Sequence, residues 1–136
     1  MSAGHAPVTT RPAPTPLGME PSIGFGDRLG LGTPGHVAAL REAGGPIRGV
    51  FAQQSIREMT RTGRSAETIM AAAVDALAAL DFADPWSADG DHLKTPADIR
   101  RTMAAGFVMF TLDPSEEVDQ QADDYDAATL QEATPR

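Results

Sequence analysis

Between residues 22 and 115 the apolar positions fall into two alternating rhythms. Val37, Leu40 and Ala43 recur at helical spacing after Thr33-Pro34 and before Gly44-Gly45, and Ile99 and Met103 do so between Thr95-Pro96 and Gly106. Both segments read as helices, with Thr at the N-cap, Pro in the first turn where its missing N–H does no harm, and Gly where the chain must turn left-handed. The two Thr-to-Gly spans are equal in length, and each is followed by a run suited to a strand, residues 47–52 and 107–112. A third helix is predicted from an N-cap at Ser65 through Ile69, Ala73, Ala76, Leu77 and Leu80. Further strands are expected over 23–26 and 86–91, and Ser55 and Glu58 have the spacing of a capping box.

The order is thus strand, helix, strand, helix, strand, helix, strand, and alternation of this kind is the mark of an α/β fold with a parallel sheet. The polar residues then fall on one rim. Asp27 and Arg28 follow the first strand; Gln53, Gln54 and Ser55 follow the second; Asp89, Asp91 and His92 close the third; Thr111 and Asp113 close the fourth. In a parallel α/β sheet these are all carboxyl ends, where ligands bind.

Composition trims the alternatives. Residues 1–21 hold Pro7, Pro12, Pro14, Pro16 and Pro21 among small polar residues and read as a disordered leader of polyproline character. Residues 116–136 are acidic and weakly patterned, a solvated helix or a tail, which leaves 22–115 as the folded unit. A net charge of -8, with acids gathered between Asp113 and Asp126, argues against a nucleic-acid partner. With no cysteine there is no disulfide framework or thiolate site. No apolar run is long enough to span a membrane and no secretory signal is evident, so a cytoplasmic location is expected by default.

The densest chemistry lies in residues 89–95, where Asp89, Asp91, His92, Lys94 and Thr95 could hold a metal, move a proton or carry charge. Lys94 is the only lysine in the chain. Each residue also has a plainer use. His92 is either a ligand or a hydrogen-bonded loop histidine, and Asp89 and Asp91 either act chemically or satisfy loop amides. Asp27-Arg28 is either a structural ion pair or a clamp for a substrate carboxylate. Gln53 and Gln54 either bind hydroxyls or pack the rim. Lys94 could form a Schiff base only if burial depressed its pKa. His36, inside the first helix, reads as structural.

Four blocks in order resemble the tagaturonate epimerases: residues 22–36 (SIGFGDRLGLGTPGH), 51–59 (FAQQSIREM), 89–95 (DGDHLKT) and 110–115 (FTLDPS). Gly90 departs from the alanine expected there. The resemblance implies a metal-dependent isomerase of hexuronate metabolism on a TIM-like (β/α) barrel. About four parallel strand–helix units form only part of such a barrel, since closure takes eight strands. The chain is therefore expected to be a fragment completed by a missing C-terminal half or a second chain, or else to self-associate.

The substrates implied, tagaturonate and fructuronate, differ at a carbinol carbon β to the ketone. Removing an α proton cannot invert that centre, whereas retro-aldol cleavage, rotation and re-addition can. The expected roles are Asp91 as base, His92 as ligand to a divalent metal, and Asp27, Arg28, Gln53, Gln54, Lys94 and Asp113 as contacts for a small-molecule uronate. Adjacent strand residues point to opposite faces, so Asp91 and His92 can share a site only if the strand ends or twists there. Two other readings stay open: a metal- or lysine-dependent sugar aldolase of similar fold, and a non-catalytic remnant acting only through self-association.

Overall fold

The computed structural model describes residues 11–133. Four strands, β1 (Ser22–Gly26), β2 (Arg48–Ser55), β3 (Trp86–Leu93) and β4 (Met109–Leu112), form one sheet in the order β1-β2-β3-β4. All three neighbouring pairs are parallel. Between them run α1 (Thr33–Ala43), then α2 (Ile56–Thr62) with α3 (Ala66–Ala79), and then α4 (Pro96–Ala104). Sequential strand order is that of consecutive units of a (β/α) barrel; a doubly wound sheet reverses its order at a switch point. No helix among the described residues is long and apolar enough to cross a membrane.

The helix starts differ in how they are made. Thr95 caps α4 as expected, within a reciprocal capping box closed by Asp98. Ser65 and Ser55 cap α3 and α2 through the Thr68 and Glu58 amides. Thr33 does not cap α1: Gly32 is the N-cap, without a side-chain cap of its own, and Thr33 lies in the first turn. The amides at that end are taken by Asp27. At the other end of α1 the left-handed residue is Gly45, not Gly44.

Two strand boundaries also differ. β2 and β3 run on through Ser55 and Leu93, so Gln53, Gln54 and His92 belong to strands that were expected to end at 52 and 91. They continue past kinks at Ala52 and His92, both with positive φ. β4 begins only at Met109, because Phe107 is buried between helix and sheet and its N–H bonds the Thr102 carbonyl.

The core lies between the sheet and α1, α2 and α3, with Val37, Phe51, Met59, Ile69, Leu77, Trp86 and Phe107 all buried. Phe51 is its hub: its ring stacks on Phe25 at 5.5 Å and meets Phe82 edge-on at 5.5 Å, with Trp86 at 6.1 Å. Residues alternating with these, such as Val50, Ser87 and Asp89, are buried as well. Val50 is thus covered even in this part of a barrel.

Residues 11–21, expected to be a disordered leader, carry no helix or strand but are tied down at several points. The Thr15 N–H and hydroxyl both donate to the Trp86 carbonyl, at 2.8 and 3.3 Å, and the Arg48 N–H donates to the Pro21 carbonyl at 2.8 Å. Arg11 pairs with Asp75 at 2.8 Å. Residues 1–10, the remainder of that segment, lie outside the described residues. Beyond β4 the acidic segment holds a short 3-10 turn at Ala122–Asp124 and an exposed helix, α5 (Ala127–Ala133).

Gly49 is the tightest backbone approach to the core: a Cβ there would sit 2.6 Å from the Phe51 ring. Gly49→Ala is expected to destabilise the fold by about 1–3 kcal/mol, the usual penalty of overpacking. Chemical denaturation of both proteins checks this; equal midpoints would show that the Phe51 ring is free to move.

Candidate active site

The loop after β1 is organised by one carboxylate. Gly30 and Leu31 donate their N–H groups to Asp27 Oδ1 at 2.7 and 3.1 Å, and Gly32 and Thr33 donate to Oδ2 at 2.7 and 3.2 Å. Burial pushes the Asp27 carboxyl up, but the four amides together outweigh that and hold its pKa below the usual aspartate range. Arg64 donates to the Asp27 carbonyl at 3.2 Å from the far side. Asp27 is therefore committed to the turn into α1.

Arg28, read as either an ion-pair partner of Asp27 or a clamp for a substrate carboxylate, turns to α2, where its Nε lies 3.0 Å from Glu58 Oε2. The same carboxylate takes Arg61 Nη1 at 3.1 Å and Arg57 Nε at 3.8 Å. Glu58 is thus a mostly buried hub for three guanidiniums. Sequence reasoning missed it because Ser55-to-Glu58 spacing reads as helix capping; the Glu58–Arg61 pair at i,i+3 was the available signal.

Next along the sheet comes a buried polar line. Asp89, 0% exposed, accepts from the Thr111 N–H at 3.1 Å, the Thr111 hydroxyl at 2.8 Å and Gln53 Nε2 at 3.2 Å. A Cβ at Gly24 would collide with the Gln53 amide, so glycine in β1 makes room for this side chain. Gln54, one residue on, is only 3% exposed, and its Nε2 is buried with no hydrogen-bond partner.

At the end of β3, His92 has φ of 51°, a left-handed conformation uncommon for a residue with a Cβ. The β3–β4 register shifts at the same place, between Gly90 and Leu93. The turn defeats the strand alternation that would separate His92 from Asp91, and leaves His92 Nε2 3.6 Å from Asp91 Oδ2. The ring's other nitrogen faces Asp113 Oδ2 at 3.4 Å. Hydrogen bonds from the Ser115 hydroxyl and N–H hold the Asp113 carboxyl below its usual pKa, with smaller help from Lys94 and His92. Asp113 is thus an anion well placed to orient the imidazole.

Asp27, Arg28, Gln53, Gln54, Asp91 and His92 line one cavity of about 640 Å³ at the carboxyl ends of β1, β2 and β3, together with Arg57, Glu58 and His36. Asp113 and Lys94 line the adjoining cavity of about 460 Å³, and Arg57 and His92 border both. His36 stacks on Phe25 at 4.8 Å, in keeping with a structural role. Lys94 pairs with Glu116 at 2.9 Å, and this hydrogen bond raises its pKa. A Schiff-base lysine needs the opposite shift. Among the described residues no group of three or more His, Asp or Glu could hold a metal ion. Two imidazoles line the cavity: His36, stacked on Phe25, and His92, with the Asp113 carboxylate behind it.

A family model described as tagaturonate epimerase matches residues 8–135. The tagaturonate/fructuronate epimerase of Thermotoga maritima is 42% identical over 105 residues, which make up 77% of this chain and 21% of that protein. The native crystal structure of the fructuronate-tagaturonate epimerase UxaE from Cohnella laeviribosi matches with a TM-score of 0.82 at 39% identity, over 97% of this chain and 27% of that one. Its complex with one glycerol gives the same score and identity over 90% of this chain and 26% of that one. The chain thus spans about a fifth of the curated relative's length and about a quarter of the solved chains.

The state of Asp27 fixes how the loop responds to acid. A carboxyl whose pKa is lowered by folding adds stability that is complete above the unfolded value, about 3.9, and is lost as pH falls through the lower folded value. The loop over residues 27–33 is therefore expected to stay closed at neutral pH and to loosen only below about pH 4. Asp27→Asn should loosen it at neutral pH. Amide hydrogen exchange of Gly30 and Gly32 reads both; fast exchange at pH 7 in the unsubstituted chain would contradict the assignment.

Proposed function

The chain belongs to the tagaturonate epimerase family, and on that footing we propose that it forms the part of a uronate epimerase that carries the proton-transfer group and one metal ligand. The observation behind this is the left-handed turn at His92, which brings Asp91 and the imidazole to one cavity floor. The reaction is an isomerisation of tagaturonate and fructuronate at the carbinol carbon β to the ketone.

In this reading Asp91 removes the proton of the β hydroxyl. The bond between that carbinol carbon and its neighbour α to the ketone then breaks, giving an aldehyde and an enediolate. Rotation of the aldehyde presents its other face, the carbon–carbon bond re-forms, and Asp91 returns the proton, so no atom or electron is gained or lost. Gln53, whose amide is fixed by Asp89, positions sugar hydroxyls along the cavity. His92 offers a ring nitrogen to a divalent cation while Asp113 steadies the ring. When bound, such an ion supplies charge stabilisation to the developing enediolate. The lysine-dependent aldolase alternative lacks support, because Lys94 is held charged by Glu116.

In a full-length family member carrying this segment, His92→Ala is expected to lower metal content. Asp91→Asn should keep the metal and reduce turnover by about 10²–10⁴-fold. Metal analysis beside steady-state kinetics decides this: unchanged metal in the His92 variant would move the histidine out of the coordination shell, and full turnover in the Asp91 variant would remove the base.

These 136 residues assayed by themselves are expected to give no measurable epimerisation and to self-associate. Among the described residues no group of three His, Asp or Glu could hold a metal, where a catalytic metal site takes about three protein ligands, and Ile23 and Leu112 on the two edge strands are exposed. Assay with added divalent metals, together with light scattering, tests both; turnover by a monomer would show that four units suffice.

A further inference from the structure

Resting on the uronate reading, we propose that His36 is a substrate-binding residue whose ring Nε2–H donates to an uncharged oxygen of the bound sugar acid, a hydroxyl or the ketone. His36 lines the same cavity as Asp91 and His92, from the start of α1. Burial decides where its proton sits. Nδ1 is sealed from solvent and has no hydrogen-bond partner. An orphaned buried N–H is rarer and costlier than an unused buried acceptor, so in the neutral ring the one proton is on Nε2. That nitrogen has no partner among the described residues either, yet it is not sealed. A donor that reaches solvent beside a cavity, with nothing to bond, is open to a guest's acceptor.

Gly32 gives a second reason. It is the N-cap of α1, a position where Asn, Asp and Ser outrank glycine. Its φ of -82° is open to any residue, so the backbone does not ask for glycine either. A Cβ there would stand 2.8 Å from His36 Cε1 and 3.3 Å from Nε2. The missing side chain leaves this edge of the imidazole uncovered.

Preorganisation is the third. Phe25 stacks on the imidazole at 4.8 Å, and Phe51 stacks on Phe25 at 5.5 Å. The contact that suits a structural histidine also fixes the plane of the ring, so little freedom is lost when Nε2–H meets its acceptor.

Charge then selects the oxygen. The place a Gly32 Cβ would take, beside Nε2, is also 3.3 Å from the Asp27 carboxyl carbon. Asp27 is an anion held by four backbone amides. It repels a carboxylate or phosphate arriving at Nε2 and leaves a hydroxyl or ketone oxygen free to bind.

The test is NMR of the ring nitrogens in the 136-residue chain, labelled at its three histidines. Titrants are tagaturonate, its neutral counterpart tagatose, and inorganic phosphate. Before any titrant, His36 is expected to show a protonated Nε2 and a bare Nδ1; the opposite tautomer would overturn the proposal. Both sugars should shift the Nε2 signal and phosphate should not; an equal phosphate response would overturn the choice of an uncharged oxygen. His36→Phe, which keeps an aromatic ring against Phe25, should weaken tagaturonate binding read at His92 by about 2- to 10-fold, the worth of one hydrogen bond. His36→Gln, which returns an N–H near the place of Nε2, should recover most of that loss. Unchanged binding in the phenylalanine variant, or sugar shifts at His92 with none at His36, would overturn the donor and leave the epimerase reading standing. No sugar response at either histidine would overturn the donor and count against the epimerase reading as well.

Discussion

A carboxylate sealed inside a sheet is the constraint around which the rest is arranged. Asp89 sits on β3 with no solvent to hydrate it, and a bare buried charge would cost several kcal/mol. It persists because Thr111 of β4 donates twice and Gln53 of β2 donates once. Those bonds cannot survive a slip of either neighbouring strand, so the polar line specifies register where apolar side chains alone would be more forgiving. The cavity floor above it is rigid for the same reason: Gln53 is fixed from behind by Asp89 and has room only because Gly24 lacks a side chain.

Above that line the strands all depart from regularity. The ladders shift between Gly24 and Gly26, between Phe51 and Gln54, and between Gly90 and Leu93. Ala52 and His92 carry positive φ at the latter two shifts. Regular strands would send consecutive residues to opposite faces; here Gln53 and Gln54, and likewise Asp91 and His92, line one cavity. Left-handed backbone at residues with a Cβ costs about 1–3 kcal/mol each and needs firm surroundings. Phe51, directly before Ala52, provides them through its contacts with Phe25, Phe82 and Trp86.

Much of this was legible in the chain because it is local. Thr95-Pro96, Ser65 and the apolar runs announce α4, α3 and the strands by spacing alone, and alternation then places Asp27, Gln53 and His92 at one end of a parallel sheet. The failures share one cause, which is that the deciding partner is distant in sequence or hidden by a kink. Thr33 loses the capping of α1 to Asp27, which reaches forward over a glycine-rich turn. Arg28 finds its partner on α2, and nothing in residues 27–28 reveals that α2 starts directly beneath it. Strand ends were set too early because a bulge looks like a terminus when only propensity is read.

The bond between Thr15 and Trp86 links residues 71 apart, and in doing so it imposes a timetable on the molecule. Each strand from β1 to β4 can add beside its predecessor as soon as it exists, since neighbours in the sheet are neighbours in the chain. Thr15, ahead of β1, has no such option: its acceptor is not made until β3 is. A contact across so long an interval bears a large loop-closure entropy and forms late in folding. During synthesis Thr15 is therefore made well before it can find its place.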